Sequence, residues 1–213
     1  MALTLDACSG AADMRILDTL TRLSIPATIF VTSLWLRANA QTLALLRART
    51  DLFTLQNHGE RHLPPVLGTR RLYGLAVAGT LDAVHREVAR GADAVAEARA
   101  PWPGGSGVPW PRWYRGATGL YSPAAIGAIQ AMGCLIAGYS LNADAGASLP
   151  AASVARRIAS ARSGDIIIAH VNQPHRPSGA GVAAGVAELH RAGTAFVDLD
   201  ALPATALTCR PRA

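Results

Sequence analysis

The sequence predicts an α/β fold with a parallel sheet, because strand-like and helix-like segments alternate along its 213 residues. Continuous apolar runs such as 166–168 have no polar face, which is typical of a strand covered by helices on both sides. These patterns leave open both a parallel α/β barrel and a doubly wound sheet. No internal repeat is visible, and the Pro/Gly-rich stretch 101–111 is the one candidate linker. We therefore expect a single domain over residues 1–213.

The first elements follow from simple patterns. Residues 2–5 form a short apolar run, and apolar residues then recur at helical spacing over 14–23. Pro26 separates this helix from the apolar, β-branched run 27–31, which predicts a strand. The same alternation predicts further helices at 42–48, 81–95, 123–132, 152–161 and 181–192, and further strands at 52–55, 113–115, 134–141, 166–169 and 194–199.

Composition narrows the class of protein. Half of the residues are hydrophobic and 16% are charged, so a sizeable core is expected. No apolar run reaches the roughly 18 residues of a membrane span. The net charge of +6 is spread over scattered arginines, and with 5% aromatic residues we expect no nucleic-acid partner. Three cysteines (Cys8, Cys134 and Cys209) are too few for a disulfide framework or a cysteine-rich zinc site, and the redox compartment stays open.

Polar residues follow several of the apolar runs, where parallel α/β folds gather their chemistry. These residues are Asp6, His58, His62, Arg115, Asn142, Asp144 and His170. The carboxyl ends of parallel strands meet at one edge of a sheet, so we expect these side chains to converge. Desolvating so many polar groups is costly unless they pair or hold an ion, which favours one shared polar site.

The pair His58 and His62 is spaced i, i+4, which would place both imidazoles on one face of a helical turn within reach of one zinc-sized ion. Spacing alone equally suits two surface or capping histidines. Their position after a strand favours the metal interpretation. Glu60 lies between them at the wrong offset for the metalloprotease motif, so we assign it no general-base role.

The other candidates also have plainer interpretations. Asp6 in Leu-Asp-Ala-Cys-Ser-Gly has the sequence context of a turn cap. His170 suits a histidine at the edge of the core, and Asp144 suits a helix cap. Arg115 suits either an ordinary ion pair or the positioning of a carboxylate. One shared site would account for all of these residues together. A cap, a core-edge histidine or an ion pair would account for only one residue each.

Five segments resemble, in order, the motifs of the polysaccharide deacetylase family, the NodB-homology domain of carbohydrate esterase family 4. They are Thr4–Ala7, His58–His62, Tyr114–Gly119, Ser140–Gly146 and Gly164–His170. The resemblance spans nearly the whole chain and implies a distorted parallel (β/α)7 barrel. It also implies metal-assisted hydrolysis of an N-acetyl group on an amino sugar of a polysaccharide or peptidoglycan-like substrate.

Residue by residue, the resemblance implies that Asp6 is the catalytic base and that His58 and His62 bind a divalent metal, with zinc expected. It further implies that Arg115 orients Asp6, that His170 is the catalytic acid, and that Asp144 raises the basicity of His170. No other cofactor is expected, and the partner is a carbohydrate.

Two departures from the family pattern affect these roles. The first motif usually has two consecutive Asp, the second of which is a metal ligand whose side chain points to the ion, but this chain has Ala7 there. Weaker metal binding is expected, unless Asp6 itself turns inward as a ligand. The fourth motif usually ends in Asp-Trp, so the assignment of Asp144 is open by a residue or two.

Three functions are therefore weighed: the deacetylase, a catalytically silent carbohydrate-binding relative, and an amidohydrolase acting on a small non-sugar amide. The resemblance places the protein outside the cytoplasm, as a secreted, periplasmic or cell-envelope protein. No signal peptide precedes the first strand, so we expect that the natural chain has lost an N-terminal segment carrying an export signal. The oligomeric state stays open.

Overall fold

The computed structural model of the chain describes residues 1–100 and 110–202. The strands are β1 (Ala2–Ala7), β2 (Ala27–Val31), β3 (Phe53–Asn57), β4 (Arg71–Leu72), β5 (Leu75–Ala76), β6 (Trp113–Tyr114), β7 (Leu135–Ile136), β8 (Leu141–Asn142) and β9 (Ile166–His170). The α-helices are α1 (Met14–Leu23), α2 (Ser33–Ala38), α3 (Ala40–Arg47), α4 (Leu81–Arg99), α5 (Pro123–Ala131), α6 (Ala151–Ala159) and α7 (Ser178–Arg191). Cys209 and most of the candidate linker lie outside the described residues.

Seven of these strands form one sheet in the order β7-β6-β3-β2-β1-β9-β8, and β4 and β5 form a separate antiparallel hairpin. The pairs β1–β9, β8–β9, β3–β6 and β6–β7 are parallel. Helices connect the strands, which confirms the predicted α/β class with a parallel sheet. The residues of β1 and β2 are all buried, as is typical of strands covered on both faces.

Two predicted strands are wrong. Residues 134–141 do not form one strand but two short ones, β7 and β8, because the apolar run is interrupted at Gly138 and its two ends pair with different strands, β6 and β9. Residues 194–199 form no strand. Only Val197 makes a bridge, to Ala2, and the chain then enters a 3-10 helix over Leu199–Ala201.

The short helix α2 was not predicted, since six residues give too little hydrophobic periodicity. Thr32 caps its first turn by accepting a hydrogen bond from the backbone N–H of Trp35.

The chain forms two compact units. The first consists of Met1–Ile29, Ala48–Thr54 and the part from Gly138 onward, and the second consists of Phe30–Arg47 and Leu55–Ala137. The boundary between the units falls within β2, after Ile29, and within β3, after Thr54. Each unit therefore consists of separate stretches of the chain. The expectation of a single domain stays a prediction.

In the first unit, α7 packs closely against α6. A Cβ atom at Gly181 would lie 2.4 Å from the carbonyl oxygen of Ala151, so this contact requires glycine. Strand β1 pairs with β9 in register from Ala2 opposite Ile166 to Asp6 opposite His170. This register places Asp6 and His170 side by side at the ends of β1 and β9.

In the second unit, the buried face of α4 supplies Val84 and Val88 to a core that includes Tyr114 and Ile129. Farther along α4, Gly91 allows the helix to approach the segment after β3. A Cβ atom there would lie 2.3 Å from Oδ1 of Asn57. This close approach places α4 directly against the loop that carries His58 and His62.

Candidate active site

In the first unit, Asp6 and His170 lie side by side at the carboxyl ends of β1 and β9. The two residues are register partners in a parallel pair, so their side chains leave the sheet on the same face. Asp6 is buried, and the His170 side chain is 18% exposed. A carboxylate and an imidazole therefore share one edge of the sheet, as the sequence predicts.

Asp144 holds the imidazole of His170. Its Oδ1 lies 2.9 Å from Nδ1 of His170, and its Oδ2 accepts a hydrogen bond of 2.7 Å from the backbone N–H of His170. Asp144 is fully buried. The structure thus brings together Asp144 and His170, which lie 26 residues apart in the sequence. Asn142, the neighbouring candidate, instead accepts a hydrogen bond from the backbone N–H of Ala145.

The surroundings of His170 favour its charged form. Burial acts to lower the pKa of the imidazole, but hydrogen bonds to Asp144 and Cys8, together with the negative charge of these partners, raise the pKa of His170 well above its usual value. An imidazolium whose Nδ1 faces a carboxylate can donate a proton from its other nitrogen. This group has the chemistry of a general acid.

Cys8 is the functional candidate of this unit that sequence reasoning missed. It is a buried thiol that lies immediately after β1 and forms a hydrogen bond with His170. In an extended strand, side chains two residues apart lie on the same face. The spacing between Asp6 and Cys8 was therefore the available signal, but a lone cysteine gave no reason to use it.

In the second unit, His58 and His62 lie against one another, with ring centroids 4.9 Å apart and planes inclined by 58°. Nδ1 of His58 lies 2.6 Å from the carbonyl oxygen of Arg115. Because a carbonyl only accepts, Nδ1 of His58 carries a proton, and Nε2 is the nitrogen through which His58 would bind a metal. A backbone carbonyl holding the second nitrogen is the usual support of a metal-binding histidine.

The two histidines do not lie on a helical turn, which corrects the prediction from their spacing. Gly59 and His62 have positive φ values of +92° and +63°, so the segment is an irregular loop. The i, i+4 spacing brings the rings together because the loop folds back on itself. Hydrogen bonds from the loop backbone to α4 hold this loop conformation.

Glu87 of α4 is the residue that accepts these hydrogen bonds. Its Oε1 accepts hydrogen bonds from the backbone N–H groups of Arg61, at 2.9 Å, and Leu63, at 3.0 Å, and so the carboxylate brackets His62. Burial raises the pKa of Glu87, and the hydrogen bonds from the loop oppose that rise. Glu60 instead forms an ion pair with Arg90 at 3.3 Å.

Arg115 is buried directly after β6. Its backbone N–H donates to the carbonyl of Asn57, and its guanidinium lies 4.2 Å above the ring of Phe30 while Nε donates to the carbonyl of Ala137 at 3.3 Å. Within this unit, Arg115 supports His58 through its carbonyl group. Its proposed action on Asp6 stays a prediction.

Within residues 1–100 and 110–202, no helix is both long enough and apolar enough to cross a bilayer.

A profile of the polysaccharide deacetylase family matches residues 1–137, more than half of the chain. The chain belongs to the polysaccharide deacetylase family. Comparison with curated protein sequences finds no match. Comparison with solved structures bears out the fold that the resemblance implied.

Three solved structures illustrate the range of this fold. A family 4 acetyl xylan esterase from Clostridium thermocellum in complex with a cobalt ion is 23% identical, with 93% of this chain and 87% of that one covered at a TM-score of 0.69. A peptidoglycan deacetylase from Bacillus subtilis is 19% identical, with the same two shares covered at a TM-score of 0.69. A family 4 pseudoenzyme from Bacillus anthracis is 14% identical, with 93% of this chain and 63% of that one covered at a TM-score of 0.67. Enzymes and a pseudoenzyme thus share this fold.

This member of the polysaccharide deacetylase family has part of the donor set that a metal site requires. His58 and His62 fit a divalent ion, since their rings adjoin and His58 has its Nδ1 engaged by a carbonyl. The second Asp of the family's first motif is absent, because Ala7 stands there. Two imidazoles are one ligand fewer than the three protein ligands that are usual in a catalytic zinc site.

Proposed function

We propose that this protein hydrolyses the N-acetyl groups of amino sugars in a polysaccharide or peptidoglycan-like substrate, with the help of a divalent metal ion. The observation that carries the proposal is the buried pairing of Asp144 with His170, in register with Asp6 at the end of β1. A base and an acid on adjacent strands are what the hydrolysis of an amide requires. Family membership supports the carbohydrate substrate.

In the proposed mechanism, Asp6 takes a proton from the attacking water as a bond forms between the water oxygen and the acetyl carbon. His170 then gives its proton to the amide nitrogen as the carbon–nitrogen bond breaks, and the products are acetate and a free amine. Asp144 keeps His170 protonated and oriented through Nδ1. His58 and His62 are the proposed ligands of an ion that, when bound, polarises the acetyl carbonyl and stabilises the oxyanion. Arg115 is proposed to orient Asp6.

Acetate release from N-acetylglucosamine oligomers tests the proposal. The protein is stripped with a chelator, dialysed and assayed with and without added zinc or cobalt. Acetate that appears only with the metal supports metal-assisted deacetylation. Activity that survives chelation and acts only on a small amide would instead identify an amidohydrolase.

A second candidate is a carbohydrate-binding relative without activity, and the observation that favours it is Ala7 in place of a ligand. A solved pseudoenzyme with the same fold shows that the fold does not require activity. Binding of the oligomers in calorimetry, without acetate release under any metal condition, would support this function. We further propose a secreted, periplasmic or cell-envelope location, by analogy with a peptidoglycan deacetylase of the same fold.

A further inference from the structure

Cys8 is a nucleophilic side chain of the first unit that the proposed hydrolysis does not use. It is buried, it follows β1 at the carboxyl edge of the sheet, and it forms a hydrogen bond with His170. Nδ1 of His170 faces Asp144 at 2.9 Å, so Nε2 is the nitrogen through which His170 can exchange a proton with the thiol. Thiol, imidazole and carboxylate thus follow one another in the order found in enzymes that use cysteine as a nucleophile.

The backbone on either side of Cys8 is tied to the segment that follows β9. The carbonyl of Asp6 accepts a hydrogen bond of 3.0 Å from the backbone N–H of Val171, and the carbonyl of Ser9 accepts one from the side-chain amide of Asn172. These contacts fix the position of the thiol. Oδ1 of Asn172 is buried and has no hydrogen-bond partner within the part of the chain that the structure describes. A buried acceptor of this kind, beside a thiol, favours a bound molecule that donates to it.

The two described cysteines have contrasting surroundings. Cys134 belongs to the apolar core of the second unit, where burial raises the pKa of its thiol and keeps the sulfur protonated. Cys8 instead lies against an imidazole, that of His170, which can hold the proton that the thiol gives up. Because the thiolate is the nucleophilic form of cysteine, Cys8 has the surroundings of a reactive thiol and Cys134 those of an inert one.

We propose that Cys8, His170 and Asp144 form a nucleophilic site that accepts the acyl group of small activated esters as a thioester on Cys8. The sulfur attacks the acyl carbon, the bond from this carbon to the alcohol oxygen breaks, and His170 gives its proton to that oxygen. Water then attacks the thioester carbon while His170 takes a proton from the water, and the carbon–sulfur bond breaks to leave a carboxylic acid and the thiolate. The inference goes beyond the proposed function and uses residues of the first unit alone.

Alkylation with iodoacetamide tests the reactivity of Cys8 without any assay of turnover. In the folded full chain, peptide mapping by mass spectrometry should show Cys8 reacting about tenfold or more faster than Cys134, and the two thiols should react at similar rates in denaturant. His170→Ala should slow the alkylation of Cys8 by about tenfold or more. If exposure alone limited the reaction, removal of the imidazole would speed it instead, and that result would overturn the inference. Circular dichroism establishes that the variant is folded.

The ester p-nitrophenyl acetate tests the transfer of an acyl group. We expect a burst of about one equivalent of p-nitrophenol per chain, followed by slower release, and an acetyl group on Cys8 that hydroxylamine removes. Cys134→Ala is the matched control and should keep the burst and the acetyl group, whereas Cys8→Ala should lose both. A burst that persists in Cys8→Ala would overturn the inference.

The outcomes separate this inference from the proposed function. An acetyl thioester on Cys8 in a protein that releases no acetate from N-acetylglucosamine oligomers would support the nucleophilic site and overturn deacetylation. Metal-dependent acetate release from the oligomers by a wild type that forms no thioester would overturn the nucleophilic site and leave deacetylation standing. A wild type that shows neither reaction would overturn both.

Discussion

Asp144 contacts His170 at both its backbone and its ring, with Oδ2 accepting from the backbone N–H at 2.7 Å and Oδ1 facing Nδ1 at 2.9 Å. One buried carboxylate thus fixes the end of β9 and the orientation of the imidazole at the same time. The arrangement explains why the pKa of His170 is raised despite the opposing effect of burial.

Replacing the proposed acid should slow the reaction without removing the metal. His170→Ala takes away the group that protonates the departing amine, and we expect turnover to fall by about a hundredfold or more. Zinc content, measured by atomic emission, should stay near that of the wild type. His85→Ala, on the exposed side of α4, is the matched control. Normal turnover in His170→Ala would remove the assignment of the acid.

The pH profile should report the Asp144–His170 pair. The acid works only while His170 is protonated, so deacetylation should decline as the pH rises through its raised pKa. Asp144→Asn removes the negative charge that helps to hold that proton, and the decline should begin at a lower pH. The profile of acetate release against pH measures this shift. An unchanged profile in the variant would mean that Asp144 does not control the proton on His170.

Glu87 should act on metal binding through the loop it supports. Glu87→Ala leaves the backbone N–H groups of Arg61 and Leu63 without their acceptor, and we expect zinc affinity to fall roughly tenfold or more. Glu87→Gln keeps one oxygen for both donors and should bind zinc nearly as well as the wild type. Glu97→Ala, exposed on the same helix, is the control. Equal affinity in Glu87→Ala and the wild type would contradict this role.

The contrast between Glu87 and Ile166 shows how far sequence alone reaches. The run beginning at Ile166 predicts a buried strand because its apolar character is a local property, and β9 begins there. Glu87 lies inside a helix, and its sequence does not reveal that a loop more than twenty residues before Glu87 donates to it. Side chains that follow strands were predictable as candidates, while the residues that support them depend on tertiary contacts.

The segment 194–199 also has a structure that its sequence alone does not predict. Residues 194–199 have the composition of a strand, but Asp198 accepts a hydrogen bond from the hydroxyl of Thr28 at 3.2 Å and caps the 3-10 helix that follows. This side-chain pairing spans 170 residues and ends the extended segment before a ladder forms. Composition could not anticipate it.

Asp6 should be required for activity whichever role it has. Asp6→Asn keeps the shape of the side chain and removes its charge, so acetate release should fall by about a hundredfold or more. Zinc affinity decides between the two roles. If Asp6 is the base, Asp6→Asn should bind zinc within a few fold of the wild type, whereas a large loss of affinity would make Asp6 a ligand. Full activity would contradict both roles.

Ala7→Asp tests the position at which this chain departs from the family pattern. Family resemblance implies that the residue at Ala7 points to the ion, but Ala7 is fully buried and follows Asp6 directly in β1, so strand alternation places its side chain on the face opposite that of Asp6. Ala7→Asp would then bury a carboxylate without a partner, and we expect a melting temperature several degrees lower and no gain in zinc affinity. A tenfold gain in zinc affinity for Ala7→Asp would show instead that the side chain at this position faces the ion.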